Sequence, residues 1–153
     1  MEPVSAAEQR ELKAVVPMIS AHFKRARSDM PASLREAFAA HGLSPRHGAA
    51  LAAVLSAESI SVSELAKQLG IGLTNASQIT GDLTRAGWLQ RDPDPADHRR
   101  VLLSLPPDRR DEVSGFIDRR SDSLLRAMSR LTAGERAGFL AGLRAWQREL
   151  EQS

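Results

Sequence analysis

A charged, turn-rich segment directly behind two short helical patterns is the feature that most constrains the fold of this chain. It covers Arg91–Leu105 and reads RDPDPADHRRVLLSL. Short segments with apolar residues, Trp88–Arg91 and Val101–Leu105, flank the DPDP sequence, and this order predicts a β-hairpin with a turn-rich tip. Because proline fixes φ and cannot donate to a strand ladder, we expect the two prolines to keep the tip out of regular pairing. Arg99 and Arg100 would then face solvent near that tip.

The residues before the hairpin carry the start and stop signals of two short helices. Ser61 and Glu64 have capping-box spacing, which predicts a helix that begins behind Ser61. Gly70 suits the left-handed turn that ends this helix, Gly72 can be the N-cap of the next, and Gly87 stops the second one. The apolar inner faces would be formed by Leu65, Ala66, Leu69, Ala76, Ile79, Leu83 and Ala86. Two short helices joined by a tight, glycine-containing turn indicate a helix–turn–helix.

The second of these helices is expected to present a polar outer face. Its members are Thr74, Asn75, Ser77, Gln78, Asp82 and Arg85. Amide side chains can pair with the edge of adenine, and threonine offers both a hydroxyl and a methyl group to bases in the major groove. Small polar residues are also common on helix faces that meet only water. The hairpin immediately behind the helix favours DNA reading, because the two together predict a winged helix.

The remainder of the chain is predicted to be helical. Apolar residues recur at three- and four-residue steps from about Ala6 to Arg27, which indicates one long amphipathic helix that Pro17 can kink. Further helix starts are expected at Pro31, Ser44–Pro45, Pro106–Pro107 and Thr132–Glu135. The predicted fold class is therefore mainly α with a small β-hairpin wing, in a single domain over residues 1–153.

From roughly Gly42 to Leu105 the chain resembles the multiple-antibiotic-resistance regulator (MarR) family of bacterial winged-helix transcription factors. The resemblance lies in SVSELAKQLGIGLTNASQITGDLTRAGWLQR followed by DPADHRRVLLSL, where Asp97-His98-Arg99 matches the Asp-x-Arg wing signature of the family. The C-terminal pair of helices agrees in size and position. The resemblance implies a winged helix-turn-helix DNA-binding region at 43–105, with helical dimerisation regions at 1–42 and 106–153.

The resemblance also implies which side chains contact DNA. On the recognition helix they are Thr74, Asn75, Ser77, Gln78 and Arg85, and on the wing they are Arg91, Asp97, Arg99 and Arg100. An arginine at a hairpin tip can enter the minor groove, and Arg99 is the candidate. We expect Asp97 to hold the Arg99 guanidinium in a bidentate pair, which would order a long side chain before binding. The alternative is a solvent-exposed ion pair with almost no effect on stability.

Apolar stripes on the first and last predicted helices exceed what a lone winged helix needs to cover. The residues expected to be buried between two subunits are Leu12, Val16, Ile19, Phe139, Leu143, Trp146 and Leu150. In the family these helices interlock about a two-fold axis; the alternative is an intramolecular bundle in a monomer. The resemblance implies a homodimeric repressor that binds a pseudo-palindromic operator in double-stranded DNA and is released by a small-molecule effector, with activation as the alternative to repression.

The charge of the winged-helix segment does not itself support DNA binding. Ser61–Leu105 contains five basic and five acidic residues, whereas a protein that relies on phosphate attraction carries a basic block. Gly81 interrupts the recognition helix at a cost of about 1 kcal/mol relative to alanine. Asp82 places a carboxylate near phosphates unless it pairs with Arg85 or accepts from a cytosine amino group. These features favour an alternative function, that of a MarR-like interaction module that has lost DNA binding.

Other classes of protein lack their signatures here. The sequence contains no P-loop, dinucleotide-binding glycine turn, nucleophile elbow or His-Glu-x-x-His motif, so we expect neither an enzyme nor a cofactor. Asp92, Asp94, Asp97 and His98 lack the remaining ligands of a calcium loop; zinc sensing through histidines and carboxylates is the alternative. The absence of cysteine, of any membrane-spanning apolar run and of a signal-peptide pattern predicts a cytoplasmic protein without membrane association.

Overall fold

The computed structural model describes residues 3–25 and 29–152, and these contain seven α-helices and one three-stranded sheet. In chain order the elements are α1 (Ala6–Arg25), α2 (Ala32–Ala40), α3 (Pro45–Ala57), β1 (Ile60–Ser61), α4 (Val62–Leu69), α5 (Leu73–Arg85), β2 (Gln90–Pro93), β3 (Val101–Ser104), α6 (Pro107–Ser129) and α7 (Ala133–Gln152). The predicted fold class, mainly α with a small β wing, is confirmed. The predicted end of the first helix at Arg27 lies outside the described residues.

The two short helices begin and end at the signals in the sequence. Ser61 Oγ accepts from the Glu64 backbone N–H at 3.3 Å, and Glu64 Oε2 accepts from the Ser61 backbone N–H at 3.0 Å. Gly70 ends α4 in the left-handed conformation at φ 68°, which glycine adopts without the strain of a Cβ. Gly72 is the N-cap of α5. Only the segment 70–72 therefore separates the two helices, as a helix–turn–helix requires.

The wing is part of an antiparallel sheet with strand order β1-β3-β2. The central strand β3 pairs with β1 at Ile60↔Leu103 and with β2 at Arg91↔Leu103. Strand β1 could not be predicted from the sequence, because two residues between a helix end and a helix cap show no recognisable alternation. The sheet thus ties the hairpin to the start of α4.

The predicted position of the break in the hairpin is wrong. Asp92 and Pro93 continue β2 and lie opposite Leu102 and Val101. The strand can contain Pro93 because β2 is an edge strand and this proline is its last residue. At that position the missing backbone N–H of proline breaks no hydrogen bond inside the sheet. The tip proper therefore begins at Asp94.

The core lies between α3, α5, the sheet and α6. Its largest fully buried side chain is Trp88, which is 1% exposed and belongs to one apolar cluster with Leu51, Leu83 and Val113. The guanidinium of Arg109, from α6, lies 4.4 Å above the Trp88 ring. The residues just before β2 therefore fix the wing to the core, and α6 packs on them through Arg109.

The first and last helices lie outside this core. Neither α1 nor α7 buries any of its described residues. Most apolar side chains of α1 and α7 are therefore left uncovered in the single chain.

None of the described helices is long and apolar enough to cross a membrane.

Candidate nucleic-acid interface

The outer face of α5 carries the polar groups that the sequence predicts for it. The exposed members are Thr74, Asn75, Ser77, Gln78 and Arg85. The opposite face consists of Ala76, Ile79 and Leu83, which are buried where α5 packs on α3 and α4. Hydroxyl, amide and guanidinium groups therefore share one accessible helix surface, which is the chemistry of base-edge contacts in the major groove.

Leu73 is an exposed apolar residue at the start of α5 that the sequence-based prediction of the DNA-contacting residues does not include. It is the first residue of α5 and is 56% exposed. The N-terminal residues of a recognition helix contact base edges, and an apolar side chain there can contact the methyl group of thymine. Its position directly after the Gly72 N-cap could have indicated this exposure. At the first position of a helix no preceding turn covers the side chain.

Asp82 does not lie on the free outer face, contrary to the sequence-based prediction. Its Oδ2 lies 3.1 Å from Nε2 of the buried His47 on α3, and its Oδ1 accepts from the Arg85 guanidinium. The hydrogen bond from His47, and after it the charge of Arg85, hold the pKa of the Asp82 carboxyl below its ordinary value. The carboxylate is thus compensated inside the protein, including by the Arg85 pairing that the sequence allowed.

The wing tip exposes Arg99 almost completely, with 96% of its side chain accessible. The expected bidentate pair with Asp97 is not formed: Arg99 Nε lies 3.7 Å from Asp97 Oδ1 in a single contact. The same Oδ1 instead accepts from the Arg99 backbone N–H at 3.1 Å. Asp97 therefore fixes the backbone of the tip, because a carboxylate two residues back forms an Asx-type turn more readily than it reaches a guanidinium.

The other two predicted wing arginines make internal contacts. The Arg100 guanidinium lies 2.6 Å from Glu64 Oε1 and donates to Ser61 Oγ at 3.2 Å. Arg91 donates to Thr80 Oγ1 on α5 at 3.0 Å. These contacts connect the wing to the cap of α4 and to the recognition helix. The partners of Arg91 and Arg100 could not be predicted, since residues distant in sequence give no local pattern.

The cap contact changes the titration of Glu64. The backbone hydrogen bond from Ser61, followed by the hydrogen bond from Arg100, lowers the pKa of the Glu64 carboxyl to about 2. The capping box and the wing anchor therefore share one carboxylate that stays ionised at neutral pH.

The residues predicted for dimerisation lie on the accessible surfaces of α1 and α7. Those that are exposed are Leu12, Ile19, Phe139, Leu143, Trp146 and Leu150, while Val16 is half-buried. Trp146 is 49% exposed, an unusual state for a tryptophan on an isolated surface. The two helices thus offer apolar surface that a single copy of the chain does not cover.

A groove of about 980 Å³ opens among α1, α2, α3 and α6. Three phenylalanines, Phe23, Phe38 and Phe116, contribute to its lining together with the cations Arg35 and Arg120. The Arg120 guanidinium lies 5.6 Å from the Phe23 ring centre and 5.4 Å from that of Phe116. The groove therefore combines aromatic surface with positive charge beside α1.

Comparison with known proteins agrees with this arrangement. Residues 41–100 match the sequence model of the MarR family, and no curated protein matches the chain. The structure of RV1404 from Mycobacterium tuberculosis is 18% identical, with 97% of this chain and 95% of that chain covered and a TM-score of 0.61.

Two further structures extend the likeness. A mutant of MepR from Staphylococcus aureus, bound to an oligodeoxyribonucleotide, is 18% identical, covers 90% of this chain and 96% of its own, and has a TM-score of 0.55. Wild-type MarR from Escherichia coli in its apo form is 20% identical, with 95% and 98% covered and a TM-score of 0.52. Segment 41–100 thus resembles the MarR family, and over nearly its whole length the chain has the fold of these MarR-type proteins.

Proposed function

We propose that this chain is a sequence-specific DNA-binding transcriptional regulator. The observation that carries the proposal is that two of the three wing arginines are bound within the protein and the third is exposed. Arg91 and Arg100 fix the wing to α5 and α4, while Arg99 at the tip remains almost fully exposed. A fixed wing with one almost fully exposed guanidinium at its tip suits insertion into a minor groove beside the major groove that α5 enters. The MepR relative bound to an oligodeoxyribonucleotide supports this use of the fold.

The regulator acts as a homodimer in this proposal. The support is the uncovered apolar surface of α1 and α7, which includes Ile19, Leu143 and Trp146. A two-fold axis would bury the same patch of both copies and would place two recognition helices about 34 Å apart, one helical turn of DNA. The matching DNA site is a pseudo-palindrome.

A small-molecule effector is proposed to release the dimer from its operator, and repression is proposed as the regulatory outcome. The support is the aromatic and cationic groove among α1, α2, α3 and α6. It suits a compact ligand with an apolar body and an anionic group, since Arg35 and Arg120 can pair with an anion and the three phenylalanines cover apolar surface. A ligand that prefers one spacing of the two recognition helices shifts the population towards it. The protein is proposed to act in the cytoplasm.

The alternative function is a MarR-like interaction module that does not bind DNA. The specific observation in its favour is the formal neutrality of residues 61–105, because non-specific DNA binding rests on cationic contacts to phosphates. In the structure, however, Glu64 and Asp82 are paired with Arg100, His47 and Arg85. Arg99 at the wing tip is almost fully exposed and can contact a DNA phosphate or the minor groove.

Selection from a pool of duplexes with a random core of about 24 base pairs tests the proposal, since that length holds two half-sites one turn apart. We expect enrichment of a pseudo-palindromic sequence that binds at least about 1,000-fold more tightly than a scrambled duplex of the same composition. The affinity should also fall steeply between about 50 and 200 mM salt. No enrichment and no complex at the lower salt concentration would overturn the regulator and favour the interaction module. Enrichment of a site without two-fold symmetry would overturn the homodimeric mode of binding.

A further inference from the structure

A chain of hydrogen bonds leads from the start of α3 to the outer face of the recognition helix. The Ser44 backbone N–H donates to His47 Nδ1 at 2.9 Å. His47 Nε2 lies 3.1 Å from Asp82 Oδ2, and the other oxygen of Asp82 accepts from the Arg85 guanidinium. Four residues thus connect the cap of one helix to an exposed cation on another.

The first bond fixes the protonation of the imidazole ring. Because the Ser44 N–H is a donor, Nδ1 of His47 must accept, and the ring proton therefore lies on Nε2. That proton points to Asp82, whose carboxylate can only accept. With His47 only 8% exposed, the geometry holds Asp82 in one orientation from the inner side of the helix.

The last bond places the Arg85 guanidinium along the surface of α5. Its Nη1 lies 3.4 Å from the position that a Cβ of residue 81 would occupy. Because residue 81 is a glycine, no side chain stands between the helix backbone and the guanidinium. The Arg85 side chain is still 70% exposed, and a guanidinium has five N–H donors, so it keeps donors for a further acceptor after binding Asp82.

We propose that His47 and Asp82 are positioning residues that hold Arg85 ready for a contact with a DNA phosphate. This inference rests on the proposed DNA-binding function. Arg85 is the last residue of α5, whereas the first residues of a recognition helix lie among the base edges. The end of the helix consequently lies at the wall of the groove, where phosphates are the acceptors. A guanidinium that is already ordered loses less side-chain entropy when it binds.

The sign of one substitution distinguishes positioning from simple charge. Asp82→Asn removes a negative charge beside the DNA-binding surface, so simple repulsion predicts tighter binding. Positioning predicts weaker binding, by about threefold to tenfold, which corresponds to the cost of ordering one long side chain. In an Arg85→Ala background there is nothing to position, and Asp82→Asn should then tighten binding or leave it unchanged. Asp92→Asn on β2 is the matched removal of an exposed carboxylate and should tighten binding in both backgrounds.

The His47 end of the chain offers a second variant. His47→Gln keeps an acceptor at the third helical position, where glutamine can serve the capping box, but it is too short to bind Ser44 and Asp82 together. We expect a weaker complex for this variant, by about threefold to tenfold, with its melting temperature close to that of the wild type. Arg85→Ala should reduce the slope of log affinity against log salt by about one.

The measurements are made on the full chain with the duplex recovered by selection. Nitrogen NMR of the free protein should show neutral His47 protonated on Nε2, a result that does not depend on DNA. If the wild type binds no duplex, the proposed function fails and the positioning role fails with it. If the wild type binds but Asp82→Asn tightens the complex, or its effect adds to that of Arg85→Ala, only the positioning role is overturned. An Nδ1-protonated ring would overturn it as well.

Discussion

The Arg91 guanidinium on β2 donates to Thr80 Oγ1 on α5 at 3.0 Å. Thr80 is fully buried, and its own hydroxyl proton goes to the Ser77 carbonyl at 3.1 Å. The outer strand of the wing is therefore fixed to the recognition helix through the Thr80 hydroxyl.

Replacing that hydroxyl should loosen the wing. Thr80→Val keeps nearly the same shape and removes both hydrogen bonds, so we expect the free energy of unfolding to fall by about 1 kcal/mol. Amide hydrogen exchange in β2 and β3 should become faster. Thr84→Val is the control, because Thr84 Oγ1 donates to the Thr80 carbonyl within α5. Equal exchange in the wing of both variants would show that the Arg91 contact does not restrain it.

Removal of the tip guanidinium should separate DNA binding from stability. Arg99→Ala is expected to weaken binding of the selected duplex by at least about tenfold while the melting temperature is unchanged, because an exposed single ion pair adds almost nothing to stability. Arg99→Lys should restore only part of the affinity, since lysine lacks the planar guanidinium. Arg130→Ala at the end of α6 is the control for loss of one exposed charge. A fluorescence anisotropy titration in which Arg99→Ala and Arg130→Ala give equal affinities would contradict the role of the wing tip.

A charge on α7 should prevent association of two chains. Leu143 and Val101 are 39% and 41% exposed, respectively, and offer matched positions on the outer helix and on the wing. Leu143→Glu would bury two unpaired carboxylates about the two-fold axis, so this variant is expected to sediment as a monomer at micromolar concentration. Val101→Glu and the wild type are both expected to sediment as dimers. A Leu143→Glu dimer in analytical ultracentrifugation would exclude this face as the interface.

Two glycines of the helix–turn–helix should respond to alanine with opposite signs. Gly81 has helical backbone and room for a Cβ at 3.4 Å from Arg85, so Gly81→Ala is expected to raise the free energy of unfolding by about 0.5–1 kcal/mol. Gly70 has φ 68°, and alanine there should lower that free energy by about 1–2 kcal/mol. Urea unfolding of both variants measures the two values. A destabilised Gly81→Ala protein would show that the space above this residue is needed by Arg85.

Acid should weaken the anchor of the wing through Glu64. The pKa of this carboxyl is about 2 in the folded chain and 4.5 as the ordinary value, so its ionised form stabilises the fold above about pH 4.5. That contribution is lost as the pH falls from 4.5 towards 2, because the unfolded chain takes up the proton first. Glu64→Gln should therefore reduce the difference in unfolding free energy between pH 6 and pH 3.

Arg100→Gln should reduce this pH dependence only in part. The backbone hydrogen bond from Ser61 is the larger cause of the lowered pKa, and Arg100 is the second. If the pH dependence of Arg100→Gln equals that of Glu64→Gln, the capping box contributes nothing to it.

The local features of this fold could be predicted from the sequence because each depends on a few neighbouring residues. Ser61 and Glu64 form the capping box, and Gly70 takes the left-handed turn, as their spacing indicates. The outer face of α5 followed from the apolar period on its inner face. The wing followed from the turn-rich segment between two short stretches with apolar residues, and the resemblance to the MarR family agrees with its place behind the helices.

The contacts that fix the site could not be predicted, since they join residues far apart in the chain. His47 and Asp82 are 35 positions apart, and Arg100 and Ser61 are 39 apart. A formal charge in the sequence does not reveal its partner, so the internal contacts of Arg91 and Arg100 could not be predicted beside their expected role in DNA binding. Strand β1 could not be predicted because two residues are too few to show an alternation of apolar and polar side chains.

The two tryptophans of the chain lie in contrasting surroundings, Trp88 buried at 1% exposure and Trp146 accessible at 49%. Intrinsic fluorescence therefore contains two signals, a blue-shifted one from the winged-helix core and a red-shifted one from α7. In a Trp146→Phe protein the emission comes from Trp88 alone and records unfolding of the core. The difference between this emission and that of the wild type records changes around Trp146 on α7. Folding and association can thus be recorded separately, without an added label.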